Sequence, residues 1–366
     1  MQGDPPERLT YAAAGVDTSA AASGLEHLLA FVRETHAFRE GIGEPIVPLG
    51  FFASVLKLTD RLSLAISTDG VGSKSAVAQL VGRYASIGWD CVAVNVNDIL
   101  CTGAEPLALV DYISVQHPHE DLLTALGEGL RDGAARARIA IVGGELSQHP
   151  DTLTGPREGY GFDIAGTCVG ILDGRPPITG AAIEPGDAVV GMPSDGVHAN
   201  GLTLARRVLL ADGADAAREL PECGTTVGDE LLRPTHIYVP EVLALLRSGV
   251  DVRGLAHISG DGLLNLGRLA ARVGYRIDGA WDVPPVFDVI QREGNVDGAE
   301  MFRVFNMGIG FCVVVPDASA QAAVDTLAAA GGRAAVIGRV VDAPGRVELP
   351  AYGRVGEGTS FVAESS

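Results

Sequence analysis

The chain has 366 residues, a length that points to two domains at about 150 residues each, and its 27 basic and 46 acidic side chains give a formal net charge of −19. A field of that sign repels phosphate backbones and anionic lipid, which excludes duplex DNA, RNA and bare membrane as partners. A small anionic substrate is compatible with it only where a local positive group or a metal ion receives the charge.

With 48 glycines, 20 prolines and 47% apolar residues, the composition is that of a folded protein with many tight turns. No apolar run of about 18 residues is free of charge or glycine, so no transmembrane helix is expected. The first residues, MQGDPPERLTYAAAG, lack a basic-then-apolar signal pattern. Cysteines stand at 91, 101, 168, 223 and 312, with no CxxC pair. That spacing argues against a zinc site or a disulfide framework and for a reducing, cytoplasmic setting.

In chain order, LSLAIST (62–68), PLALVDYISV (106–115), IAIVGGEL (139–146) and DIAGTCVGIL (163–172) read as strands. Residues 84–100 and 119–138 between them carry apolar positions at helical spacing. Residues 173–187, rich in proline and glycine, form the expected junction between domains 1–172 and 173–366. Beyond it the alternation resumes through DAVVGMPS, LTLARRVLL, IYVPEVLALLRSG, RLAARVG, FCVVVP, AQAAVDTLAAAG and AAVIGRVVD, so each half is expected to be a mixed α/β unit. The tail VGEGTSFVAESS is expected to fray.

Four constellations carry chemistry. In STDGVGSK (67–74) a strand delivers Asp69 at its carboxyl end, Gly70 and Gly72 allow close backbone approach, and Lys74 supplies positive charge. An ordinary Asp-Gly turn with a surface lysine explains the same residues. In NVNDILCTGAEP (95–106), Asn95, Asn97 and Asp98 interrupt an apolar helix, with Asn95 and Asp98 three residues apart on one face. A buried carboxylate there needs a partner or a metal. In IVGGELSQHP (141–150) a strand ends in two glycines and Glu145, and His149 follows in a loop. Asp69, Asp98 and Glu145 without a histidine or cysteine ligand suit magnesium with a nucleotide. In MPSDGVHANG (192–201), Ser194 to Gly201 gather donors, glycines and an imidazole before a helix, where an anion could sit, or where Asn200 could act as N-cap. AHISGDGL (256–263) and FNMGIGF (305–311) are glycine turns in which ligand approach competes with packing.

At this point the residues resemble a known family. AGVD (14–17), STDGVGSK, VNDILCTGAEPLALVDY (96–112), GGE (143–145), DIAGTCVG (163–170), SDGVHANGLTL (194–204), THIYV (235–239), HISGDGL (257–263) and FNMGIG (305–310) follow the order and spacing of the aminoimidazole ribonucleotide synthetases, the phosphoribosylformylglycinamidine cyclo-ligases. The resemblance runs from about Leu9 to Val341. It implies two α/β domains, with the N-terminal domains of a homodimer forming a shared β-barrel and active sites at the interface. It implies cytoplasmic, ATP- and magnesium-dependent ring closure of a small ribonucleotide. It also implies site residues: Asp69, Asp98 and Glu145 for the metal; Thr68, Asp69, Gly70, Gly72, Lys74, Asn97 and Asp98 for ATP; Ser194, His198 and Asn200 for the substrate. His198, Lys74 and Asp98 are the candidate catalytic groups, His198 for proton handling because imidazole titrates near neutrality.

Three stretches depart from the common pattern. A segment like GGFGG reads PLGFFASVL (48–56), GGETAEMPG reads GGELSQHPD (143–151) with Gln148 at an acidic position, and HITGGGL reads HISGDGL with Asp261 at a glycine position. Two other readings use the same residues: a different ATP-dependent kinase or synthetase of the superfamily, and a catalytically silent nucleotide-binding paralogue.

Overall fold

Residues before position 174 build one sheet and cover one of its faces. The elements are α1 (Thr18–Glu34), β1 (Ser54–Lys57), β2 (Leu62–Gly70), α2 (Lys74–Val81), α3 (Ala85–Leu100), β3 (Glu105–Val115), α4 (Glu120–Ala137), β4 (Ala140–Gln148) and β5 (Phe162–Asp173). They come from a computed structural model that describes residues 9–16, 18–210 and 215–364, the side chains of 18–22 excepted. The expected unsignalled N-terminus and the last two residues of the tail fall largely or wholly outside that set. The strands order as β1-β2-β5-β3-β4, antiparallel except for the parallel pair β3 and β4.

Strand β5 alternates buried and half-buried residues along its length, with Phe162, Ile164, Cys168 and Leu172 facing inward. The inward face lies against α3, whose buried positions run all round the helix because sheet, α4 and the second half of the chain enclose it. Helices α3 and α4 touch backbone to backbone: a Cβ added at Gly129 would lie 1.7 Å from the Ala85 carbonyl oxygen, and one at Gly88 would lie 2.1 Å from that of Leu126. Among the described residues no helix packs on the other face of the sheet. By register it carries Leu64, Ile66, Thr68, Val169, Thr167, Val110, Tyr112 and Glu145, with Val110 and Tyr112 over 40% exposed.

The second half contains β6 (Ala188–Pro193), α5 (Leu202–Leu209), β7 (Glu219–Leu220), β8 (Thr225–Thr226), α6 (Val227–Leu231), α7 (Val239–Arg247), β9 (Gly254–His257), β10 (Gly274–Arg276), α8 (Pro285–Glu293), α9 (Gly298–Val304), β11 (Ile309–Val315), α10 (Ala320–Ala329), β12 (Ala335–Val341), β13 (Arg346–Leu349), β14 (Arg354–Glu357) and β15 (Ser360–Ala363). Eight of these strands form one sheet in the order β15-β14-β13-β10-β12-β6-β11-β9, and β11, next to the edge strand β9, is buried along its whole length. The protein is thus mixed α/β with a sheet in each half. The tail does not fray as expected: residues 354–363 pair as the hairpin β14–β15, anchored by buried Val355 and Phe361. Helix α5 begins after Gly201, left-handed at φ +79°, so Asn200 is not its N-cap.

The contact between α3 and α4 gives a clean pair of variants. Gly129→Ala should lower the free energy of urea unfolding by about 2–3 kcal/mol, because the methyl drives the helices apart. Gly127→Ala on the same helix, where nothing lies within 4 Å, should be neutral or stabilising by up to about 1 kcal/mol.

Candidate active site

The candidate site forms where the carboxyl end of β2 and the end of β9 both approach Asp98. Asn95 fixes its first wall: the Asp69 amide donates to Asn95 Oδ1 at 3.0 Å, and Asn95 Nδ2 donates to the Asp69 carbonyl at 3.1 Å. A side chain on the facing Gly166 would collide with that amide, its Cβ only 2.9 Å from Asn95 Nδ2. The Asp69 carboxylate still reaches solvent, but protein crowds it. That desolvation, together with repulsion from Asp98, raises its pKa to about 6. Asp98 accepts from His257 Nδ1 at 2.9 Å, which leaves its second oxygen uncommitted, and His257 is 3% exposed at the end of β9. Two nearby carboxylates suit a magnesium ion that is also held by substrate phosphates. Among the described residues no group of three acidic, histidine or cysteine side chains could form an all-protein cage.

Around this pair lie Gly72, left-handed at φ +63° with open space on its Cβ side, and Ser73, whose hydroxyl accepts from Thr203 at 2.9 Å. Past His257 the chain turns through Gly260, which lies beside Asn200, and Asp261, a non-glycine residue at φ +68°. Gly70, by contrast, packs toward the Ile164 carbonyl rather than facing open space. The exposed Arg268 lies close enough to lower the Asp69 pKa, with its guanidinium 4.9 Å from the Phe52 ring and no carboxylate partner among the described residues.

Several residues expected at this site lie elsewhere. Lys74 is fully buried: its ammonium is 2.6 Å from Asp90 and donates to the Arg233 carbonyl at 2.6 Å, so it has no free path to a phosphate. Asn97, one position from Asp98, points away from the cleft toward residues 236–238. Thr68 alternates with Asp69 and so falls on the open face, where its hydroxyl meets that of Thr167. Glu145 falls on the open face too: it pairs in register with Tyr112, while its neighbour Gly144 faces the Asp111 carboxylate. Three strand spacings, roughly 14 Å, separate its strand from that of Asp69, so one chain does not bring Asp69, Asp98 and Glu145 together.

The loop after β6 divides the substrate candidates. Asn200 lies beside Gly260. The Ser194 hydroxyl donates to Asn306 Oδ1 at 2.7 Å, and Asn306 Nδ2 donates to the carbonyls of Gly196 and Val197, which gives FNMGIG a bracing role. His198, left-handed at φ +65°, is 4% exposed, and its Nε2 accepts the Asp195 amide at 3.1 Å. Burial and the neighbouring His257 hold it well below the usual histidine range, so it stays neutral and holds backbone; this does not suit the proton-handling role expected of it. Gly310 of the same motif lies so close that a Cβ would stand 2.8 Å from His198 Cε1 and 1.9 Å from the Tyr238 hydroxyl. Sequence reasoning did not single out His257, Arg268 or His236 as functional side chains. His257 and His236 stand inside quoted motifs, but nothing in their spacing marks a carboxylate partner. His236 shows the strongest such pairing. Burial alone would lower its pKa, but Asp195 at 2.9 Å and Glu241 at 3.5 Å outweigh that and raise it to about 9.

Two measurements follow from these shifts. Ionised Asp69 destabilises the metal-free fold, so Asp69→Asn should raise the melting temperature at pH 8. That gain should shrink as pH falls through 6 and vanish only below the unfolded value of 3.8, where the acid is protonated folded or unfolded. Protonated His236 stabilises the fold fully below about pH 6.5, and this contribution should disappear as pH rises through 9. His236→Phe should therefore flatten the alkaline fall of the melting temperature.

The AIR synthase related protein family matches the chain twice, its N-terminal domain over residues 52–172 and its C-terminal domain over residues 184–349. The chain is 43% identical to the phosphoribosylformylglycinamidine cyclo-ligase of Methanothermobacter thermautotrophicus, covering 94% of this chain and 97% of that protein. It is 45% identical to the one from Thermococcus kodakarensis, covering 93% and 98%. Among solved structures, hydrogenase maturation protein HypE in complex with ATP superposes with a TM-score of 0.54 at 22% identity, covering 81% of this chain and 83% of that one, a likeness of fold. With both halves matched and nearly the whole length shared with such relatives, the chain belongs to the AIR synthase family.

Proposed function

We propose that this chain is an ATP-dependent cyclo-ligase that closes formylglycinamidine ribonucleotide to aminoimidazole ribonucleotide, a step of purine synthesis in the cytoplasm. The observation that carries the reading is the Asp69–Asp98 carboxylate pair, with Arg268 close by and without a carboxylate partner among the described residues. Identity of 43% and 45% to cyclo-ligases over nearly the full length supports it. Asp69 and Asp98 would hold magnesium, which supplies charge neutralisation for the phosphates. The formyl oxygen takes the γ-phosphoryl group, a nitrogen of the same molecule attacks the activated carbon, and phosphate leaves.

Phosphoryl transfer needs positioning and charge stabilisation rather than covalent help, and the residues supply both. Asn95 locks the backbone of Asp69, and His257 orients Asp98. Arg268 takes the phosphate-binding role that sequence spacing suggests for Lys74. Asn200, with the Gly260–Asp261 turn, lines the ribonucleotide side. Ring closure is intramolecular, so a rigid cleft that aligns the two ends removes much of its entropic barrier.

The open sheet face suits a second copy of this chain. Val110, Tyr112 and Val142 are exposed apolar groups on or beside it, and Ile66, Val169 and Leu64 extend the patch. Closing two such sheets on one another would bury the patch and carry Glu145 into the interface.

Incubation with ATP, magnesium and formylglycinamidine ribonucleotide should yield aminoimidazole ribonucleotide with one ADP per turnover. ADP release that instead depends on another small molecule would favour the kinase alternative, and ATP binding without phosphate release would favour a silent paralogue. Arg268→Gln should raise KM for ATP about tenfold or more, matching the loss of roughly 1.5–3 kcal/mol for a hydrogen bond to a charged group.

A further inference from the structure

Residues 233–238 have neither helix nor strand, so their backbone polar groups need partners from elsewhere. Five of those bonds come from side chains of the first half. Lys74 donates to the Arg233 carbonyl, Asp90 Oδ1 accepts the Thr235 amide at 2.6 Å, and Trp89 Nε1 donates to the Thr235 carbonyl at 2.7 Å. Asn97 then makes two bonds, donating to the His236 carbonyl at 2.8 Å and accepting the Tyr238 amide at 3.1 Å. Lys74 and Asp90 are wholly buried and neutralise each other, so the anchor is rigid as well as dry.

The other edge of the segment holds the loop after β6. His236 Nδ1 meets Asp195 at 2.9 Å, the His236 amide points at His198 Nε2 at 3.5 Å, and the Tyr238 hydroxyl donates to the Pro193 carbonyl at 2.8 Å. His236 also reaches Glu241, which Arg136 of α4 binds from the first half. Lys74, Trp89, Asp90 and Asn97 thus tie α2 and α3 to the segment, and His236 and Tyr238 tie the segment to residues 193–198.

We infer that Arg233–Tyr238 is a strap that sets the ribonucleotide-side loop against the helix carrying Asp98, and that Trp89, Asn97 and His236 are positioning residues for that loop. Lys74 and Asn97 then contribute to catalysis through the strap and not by touching ATP. This rests on the reading that Ser194–Asn200 borders the ribonucleotide, but the strap itself can be tested without turnover.

Trp89→Phe removes one donor and keeps a large ring. In the full-length protein, amide hydrogen exchange across 194–200 and 233–238 should quicken by roughly three- to tenfold, the range of one hydrogen bond. KM for the ribonucleotide should rise by a similar factor while KM for ATP and the melting temperature stay close to wild type. A second pair guards against a folding defect: His236→Leu should show the same exchange and KM changes, with a lower melting temperature at neutral pH from the lost ion pair, and His236→Gln, which keeps a donor for Asp195, should recover most of the exchange and KM changes. Unchanged exchange in the two segments, or an equal rise in both KM values, would overturn the strap. A wild-type protein that turns over no ribonucleotide would instead defeat the proposed reaction, while the exchange measurement would still decide the strap.

Discussion

Helix α3 is the part on which the rest of the molecule depends, because its polar side chains point in three directions from one buried rod. Asn95 holds the backbone of β2 at Asp69, Asp98 meets His257 from the second sheet, and Trp89, Asp90 and Asn97 bind the irregular segment 233–238. A buried polar group without a partner is costly, so each of these bonds constrains the element it reaches. The close approach of α4 at Gly88 and Gly129 stops the rod from shifting. The cleft is therefore defined by one helix in contact with both halves of the chain.

Much of the fold is legible in the sequence because the physics is local. Period-two burial in 163–172 and helical spacing in 84–100 and 119–138 are carried by residues next to one another, and the strands and helices form there. The tail departs from expectation because VGEGTSFVAESS looks polar when taken alone. What orders it is distant in sequence, the pairing of β14 with β13 and of Phe361 with Phe302.

The site is only partly legible, and direction is what decides which residues read correctly. At about 100° per residue, Asn95 and Asp98 lie about 60° apart on α3 while Asn97 falls about 160° from Asn95. The shared face of Asn95 and Asp98 could thus be read from spacing, and the divergence of Asn97 follows from the same number. Strand alternation likewise separates Thr68 from Asp69 and puts Glu145 on the far face, although each belongs to a compact motif. Lys74 shows a different limit: nothing local reveals that Asp90, sixteen positions on, will neutralise it. Arg268 and His257 are reached only through the fold, since no run of neighbouring residues marks them as partners of Asp69 and Asp98.

Gly310 draws these themes together. Its missing side chain is where the imidazole of His198 and the phenol of Tyr238 approach β11, so a single hydrogen at that position lets the loop after β6 and the strap seat on that strand. Even the smallest added carbon would act as a wedge and pry the loop from its anchor while every reacting group kept its identity. For a molecule of this design, chemical competence can be switched off from inside the scaffold, at a position that no substrate ever meets.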